Sequence, residues 1–189
     1  MLLGLARLRT IRRVLEFWCG QYSTLTFLDR AAFSHLERLD SFENDPGWFK
    51  QIVTKLQDDS RITLTYVQGE MGAAAIKTDP REYDIVFIDD SVLKGRSATI
   101  RAVGAWRTHL VVVHDYETFV HRLAARAFTH RYRFKALVPN TGVLWNGATP
   151  TPEQLRLLDN LIKRHRQELE PGDISGWIRV FDANPEAFC

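Results

Sequence analysis

The sequence lacks most of the features that would tie it to a specialised class of protein. Cysteine occurs only at Cys19 and Cys189. Two thiols so placed do not make a disulfide framework, and a reducing, cytoplasmic compartment is the expectation. No apolar run approaches the roughly 18 residues that a membrane-spanning helix requires, so no membrane partner is expected. The formal net charge is only +2, too small to point to nucleic acid. Local arginine clusters at Arg7, Arg9, Arg12 and Arg13, and at Arg122, Arg126, Arg131 and Arg133, read as solvated helix faces or flanks. The arginines follow the apolar opening, residues 1–5, instead of preceding it, which is the wrong order for a secretory signal. A short helix leading into a first strand fits better. There is no internal repeat, low-complexity tract or Gly/Ser linker, and no Gly-x-Gly-x-x-Gly fingerprint for a dinucleotide pyrophosphate.

What is present is an ordinary globular composition. The 189 residues, 45% apolar and 25% charged, suit one domain with a real core. Short apolar runs alternate with helix-like segments. Residues 14–17 read as a first strand ending at Gly20, and 23–36 as a helix that Ser23 or Thr24 could cap. Residues 39–43 make a second strand, closed by the turn signal Asn44-Asp45-Pro46-Gly47. Trp48, Phe49, Ile52, Val53 and Leu56 have helical spacing.

Residues 62–67 alternate as a third strand. Residues 83–88 and 110–113 are nearly all apolar, the mark of strands buried on both faces. Helices are expected over 97–106 and 117–128, and a β-hairpin over 132–145. A last amphipathic helix is expected over 152–169, and an edge strand over 178–181. Five such alternations predict an α/β fold: a mostly parallel sheet with helices on both faces and a C-terminal antiparallel hairpin strand. Residues 1–147 form this domain, with 148–189 as a helix and tail packed on it.

Ligands of such sheets bind beyond the carboxyl ends of the strands. The residues expected there are unusually acidic: Glu16, Glu43, Glu70, Asp89, Asp90 and Asp115.

The run Val14-Leu15-Glu16-Phe17-Trp18-Cys19-Gly20-Gln21-Tyr22-Ser23 resembles the first motif of class I S-adenosylmethionine-dependent methyltransferases, small-molecule O-methyltransferases among them. Asp40 to Pro46 looks like the second motif, Val67 to Met71 like the third, and Tyr83 to Asp89 like the fourth. The resemblance covers roughly residues 12–147. It implies a Rossmann-like fold and an S-adenosylmethionine site at Glu16, Gly20, Tyr22, Ser23, Glu43, Glu70 and Asp89. Glu43 would take the ribose hydroxyls, which require an acceptor-only group with two oxygens. The sequence departs from the family at the first loop glycine, where it has Trp18. A bulky residue there either narrows or fills the cofactor pocket or points into the core with the loop displaced, and it cannot adopt glycine's backbone angles cheaply.

Two site designs are open. In one, Asp89, Asp90 and Asp115 hold Mg2+ or another divalent ion, as in metal-dependent catechol-type relatives. Tyr116 stands where that design has an asparagine. In the other, His114 and Asp115 serve a metal-free site, with His114 as the base. His121, His130 and His165 read as surface residues, His109 as structural and Cys19 as core or loop packing.

The functional expectation is methyl transfer to an oxygen or nitrogen of a small molecule. The acceptor side is either open or completed by the tail or another subunit, as in a homo-oligomer. The competing expectation is a catalytically inactive methyltransferase-like binding or scaffold protein.

Overall fold

A computed structural model describes residues 2, 5, 6, 10–20, 22–56, 59–72, 77–79, 82–90, 94–105, 110–134, 140–147, 151–153, 156 and 160. The chain divides into two compact units, Met1–Thr149 and Pro150–Cys189. The first contains a seven-stranded sheet. Its strands are β1 (Arg13–Phe17), β2 (Arg38–Glu43), β3 (Ile62–Tyr66), β4 (Ile85–Ile88), β5 (Leu110–Val113), β6 (His130–Phe134) and β7 (Thr141–Trp145). The spatial order is β3-β2-β1-β4-β5-β7-β6. β1 to β5 are parallel, whereas β7 runs antiparallel to both β5 and β6.

The helices are α1 (Ser23–Leu28), α2 (Pro46–Leu56), α3 (Lys94–Gly104) and α4 (Phe119–Ala124), the last continued by a 3-10 turn at Ala125–Ala127. Strand alternation assigns them to opposite faces. Leu15, Phe17, Val86, Ile88, Val111, Val113 and Leu144 share one face, packed with Ile100 and Val103 of α3 and Ala124 of α4. On the other face, Ile62 and Leu64 of β3 pack with Ile52 and Leu56 of α2, and Phe27 of α1 lies edge-on to Phe87 at 5.9 Å. β4 and the last three residues of β5 are buried throughout, as expected of strands covered on both sides.

Several local expectations are corrected. The helix expected over 23–36 stops at Leu28. The Asp29 side chain accepts the Ala31 amide at 2.8 Å, an Asx turn that competes with further helix. Neither Ser23 nor Thr24 caps α1. Tyr22 occupies the cap position without a side-chain hydrogen bond that caps the helix, and the Thr24 hydroxyl is bonded to Glu16. The turn signal at 44–47 is a helix start: Asp45 Oδ1 accepts the Trp48 amide at 2.7 Å, and Pro46 fills the first helical position, where its missing N–H costs nothing. The segment expected to be helical over 117–128 is α4 plus the 3-10 turn. The helix over 152–169 falls largely outside the described residues, and the edge strand over 178–181, His109, His165 and Trp106 fall wholly outside them. No helix among the described residues is long and apolar enough to cross a membrane.

Candidate functional site

The order of the sheet reverses between β1 and β4, and a crevice at such a switch is where ligands of this architecture bind. On the β1 side the loop leaves through Trp18, whose φ is 78°. This is the left-handed region, which costs an L-residue about 1–2 kcal/mol. The backbone therefore keeps a turn suited to glycine although a tryptophan fills the position. The Trp18 amide is anchored on the Phe42 carbonyl at 2.8 Å. Cys19 follows, fully buried, with its Sγ 3.3 Å from Glu43 Oε2. The Trp48 indole N–H donates to the Cys19 carbonyl, and the Gly20 carbonyl accepts the Thr24 amide as α1 begins.

Glu16 points from β1 to the face that carries Ser41 of β2. Its Oε2 accepts the hydroxyls of Thr24 and Ser41, each at 2.7 Å, while Oε1 has no hydrogen-bond partner among the described residues. Burial pushes its pKa up to about 7, against the opposing hydroxyls of Ser23, Ser41 and Thr24. Glu43 ends β2, wholly buried. Its Oε1 accepts the amides of Asn44 and Asp45 at 2.8 Å each, and its Oε2 faces the Cys19 thiol. Burial raises the Glu43 pKa. Glu70 and Tyr22 are exposed, and Ser23 is buried in α1. The β2 and β3 exits are tied by Asn44 Nδ2 donating to the Gly69 carbonyl at 3.0 Å.

On the other side of the switch, Asp89, His114 and Asp115 come together, with one potential ligand atom from each lying within 4.8 Å of the others. His114 Nδ1 is 3.1 Å from Asp89 Oδ1 and 3.3 Å from Asp115 Oδ1. These are ionic contacts without the alignment of good hydrogen bonds. Burial alone would lower the His114 pKa, but the Asp115 and Asp89 carboxylates overcome it and hold the imidazole up at about 10. Asp115 is pushed the other way: desolvation works to raise its pKa, but His114 and Arg96 hold it well below the usual carboxylate range. Its backbone is left-handed, with φ of 53°, a conformation aspartate tolerates better than most residues.

Two readings of these residues, those of Asp90 and His121, are corrected by the geometry. Asp90 does not join Asp89 and Asp115. It is buried with Oδ2 on the Thr99 hydroxyl at 2.5 Å, and burial raises its pKa to about 7. His114, read as a base, has its Nδ1 facing the Asp89 and Asp115 carboxylates. His121 is not a surface residue but is 2% exposed, with Nδ1 3.1 Å from the Asp115 carbonyl. Tyr116, in place of the asparagine, is a core residue.

Sequence reasoning missed Arg96. Its side chain reaches from the first turn of α3 into the gap between the β4 and β5 exits, pairing Nη2 with Asp89 Oδ1 at 2.9 Å and Nη1 with Asp115 Oδ2 at 2.6 Å. The available signal was its place in the stripe of Arg96, Ile100 and Val103, where α3 meets the sheet. A divalent ion fits this cluster poorly. The carboxylates already face a guanidinium, and a metal would need His114 deprotonated. S-adenosylmethionine fits the β1–β2 side better: the loop keeps its glycine-type turn, and the partner of Glu43 Oε2 among the described residues is a thiol, a weak donor.

The fold is that of class I S-adenosylmethionine-dependent methyltransferases: Rossmann-like, mostly parallel and closed by antiparallel strands. Human methyltransferase-like protein 13 in complex with SAH superposes with a TM-score of 0.60 at 18% identity, over 88% of this chain and 90% of that one. A putative caffeoyl-CoA O-methyltransferase from Staphylococcus aureus gives 0.54 at 12%, over 77% and 80%. The SAH-bound methyltransferase PaMTH1 of Podospora anserina gives 0.56 at 11%, over 77% and 76%. No protein-family model and no curated protein matches the sequence. At these identities the likeness is one of fold.

Proposed function

We propose that this chain is a methyltransferase that binds S-adenosylmethionine beyond β1 and β2 and methylates an oxygen or nitrogen of a small molecule in the cytoplasm. The observation that carries the reading is the pairing of the Trp18 turn with Glu43. A left-handed residue directs the loop so that Cys19 lies against a carboxylate at the end of the neighbouring strand. The loop backbone is thereby offered to the methionine part of the cofactor, and Glu43 to its ribose. SAH in two of the structural neighbours supports the choice of ligand.

When bound, the cofactor supplies an electrophilic sulfonium methyl. The chain's part is then alignment and exclusion of water. Asp115, with its side chain 38% exposed, is a weak base because its ionised form is so well held. Its use is as a hydrogen-bond acceptor that orients the attacking hydroxyl or amine. His114, as an imidazolium, and Arg96 keep that carboxylate ionised and in place.

The second reading, a protein that binds without turnover, is favoured by the half-buried Trp18 and by the occupied oxygens of Glu43. Calorimetric titration of the whole chain with S-adenosylmethionine and S-adenosylhomocysteine separates the two. Binding by the native protein that is lost in Glu43→Ala supports the methyltransferase. Binding that appears only in Trp18→Gly supports the inactive module, and no binding by either protein rejects both.

A further inference from the structure

Arg96 is 5% exposed at a position where the helix face contributes Ile100 and Val103 to the core. Burying a guanidinium is costly unless its charge and its donors are all met. Here they are. Nε donates to the Asp90 carbonyl at 2.8 Å. Nη1 donates to the His114 carbonyl at 3.1 Å and to Asp115 Oδ2 at 2.6 Å. Nη2 donates to the Asp89 carbonyl at 3.0 Å and pairs with Asp89 Oδ1 at 2.9 Å. Five oxygens thus meet the five N–H bonds that a guanidinium carries.

Those oxygens are two carboxylates and three backbone carbonyls, drawn from two adjacent strand exits. Hard oxygen sets of this mixed kind are what magnesium and calcium take in proteins. Their convergence on one side chain gives that side chain a definite office. We propose that Arg96 is a built-in cation, its guanidinium holding the seat of a divalent ion between the exits of β4 and β5. It is a positioning residue: it fixes the Asp115 carboxylate and the carbonyls flanking it, and it closes this end of the sheet to metal. The assignment stands apart from the cofactor reading, since a chain that never bound S-adenosylmethionine would carry the same cation. Lysine could not replace it fully, because an ammonium has three N–H bonds and no planar fork.

The test uses the full chain and Mn2+, followed by loss of the free-ion electron paramagnetic resonance signal. The wild type should show no saturable uptake. Arg96→Met should take up the ion, and Arg96→Met combined with Asp89→Asn should lose it again. Arg96→Lys should remain free of metal and melt at a lower temperature than the wild type. Saturable uptake by the wild type that Asp89→Asn abolishes overturns the proposal, as does a folded Arg96→Met that takes up nothing. If Arg96→Met folds only when Mn2+ is added, the proposal is supported. If it does not fold at all, the wild type decides by nitrogen-15 NMR. Separate, slowly exchanging Arg96 side-chain N–H signals are expected, and signals averaged as in a free guanidinium overturn the assignment.

Discussion

Cys19 Sγ lies 3.3 Å from Glu43 Oε2, joining the loop after β1 to the last residue of β2. Burial raises the thiol pKa, and the nearby Glu43 carboxylate raises it further. The thiolate is the reactive form, so Cys19 should be inert in the folded protein. In a Cys189→Ser background, iodoacetamide at pH 8 should leave Cys19 unmodified until denaturant is added. Ready alkylation of the native protein, read by mass spectrometry, would contradict this placement.

The left-handed backbone at Trp18 makes an unusual ordering of variants. Trp18→Gly relieves about 1–2 kcal/mol of backbone strain while losing the contacts of a half-buried indole. Trp18→Ala loses the same contacts and keeps the strain. Urea unfolding should therefore find the glycine variant more stable than the alanine variant by about 1 kcal/mol. Equal stabilities would mean that the turn is not left-handed.

Glu16 and Asp90 impose a pH dependence. Each carboxyl has a folded pKa of about 7, above its ordinary value, so the folded state binds more protons than the unfolded state between about pH 4.5 and 7. Stability must fall as the pH rises through that window, by at most about 1.4 kcal/mol per pH unit for each group. Glu16→Gln should flatten part of the slope in denaturation curves taken from pH 5 to 8.

His114 acts in a higher window. Its folded pKa, raised to about 10 by Asp115 and Asp89 against the effect of burial, lies above the unfolded value. Its contribution is therefore complete below about pH 6.5 and is lost as the pH climbs towards 10. Proton NMR of the ring should show an imidazolium still present at pH 8. Asp89→Asn with Asp115→Asn should bring the midpoint down towards an ordinary histidine. A wild-type midpoint near 6.5 would rule out the ion cluster.

Gly142 offers a test of packing alone. A Cβ there would come within 2.5 Å of the Tyr116 ring, which is itself core. Gly142→Ala should destabilise by about 1–3 kcal/mol through overpacking, and Gly142→Ala with Tyr116→Leu should recover much of the loss. A neutral single substitution in thermal melts would show that β7 does not press on that ring.

The strands were legible because burial on one or both faces writes a period directly into the sequence, as in Ile85–Ile88 and Leu110–Val113. The end of α1 was not, because a single Asp29 side chain diverts the backbone where the apolar pattern continues to Leu36. At the candidate site, strand-exit position singled out Asp89 and Asp115 but could not separate them from Asp90, whose side chain turns away to Thr99. Adjacent residues on a strand exit face opposite ways, and which one faces the crevice depends on register. Arg96 was hidden for another reason. Its partners lie 6–19 positions away in sequence, and its charge reads as surface unless its helical stripe is noticed. Trp18 was recognised as the departure from the family pattern, but that its backbone would still take the left-handed turn could not be read from residue type.

β1 is central, hydrogen-bonded to β2 on one side and β4 on the other, with Val14 opposite both Leu39 and Ile85. The first partner is about 25 residues on and the second about 70. During synthesis the parallel pairing of β1 with β2 becomes possible early, while the other edge of β1 stays unpaired until Ile85 has been made. Pairing across so long a loop is slow, because chain entropy is lost before the contact returns it. The nascent chain thus carries Val14 to Phe17 as an open, apolar strand edge for much of its growth. Until β4 arrives, that edge is a template for pairing with other chains.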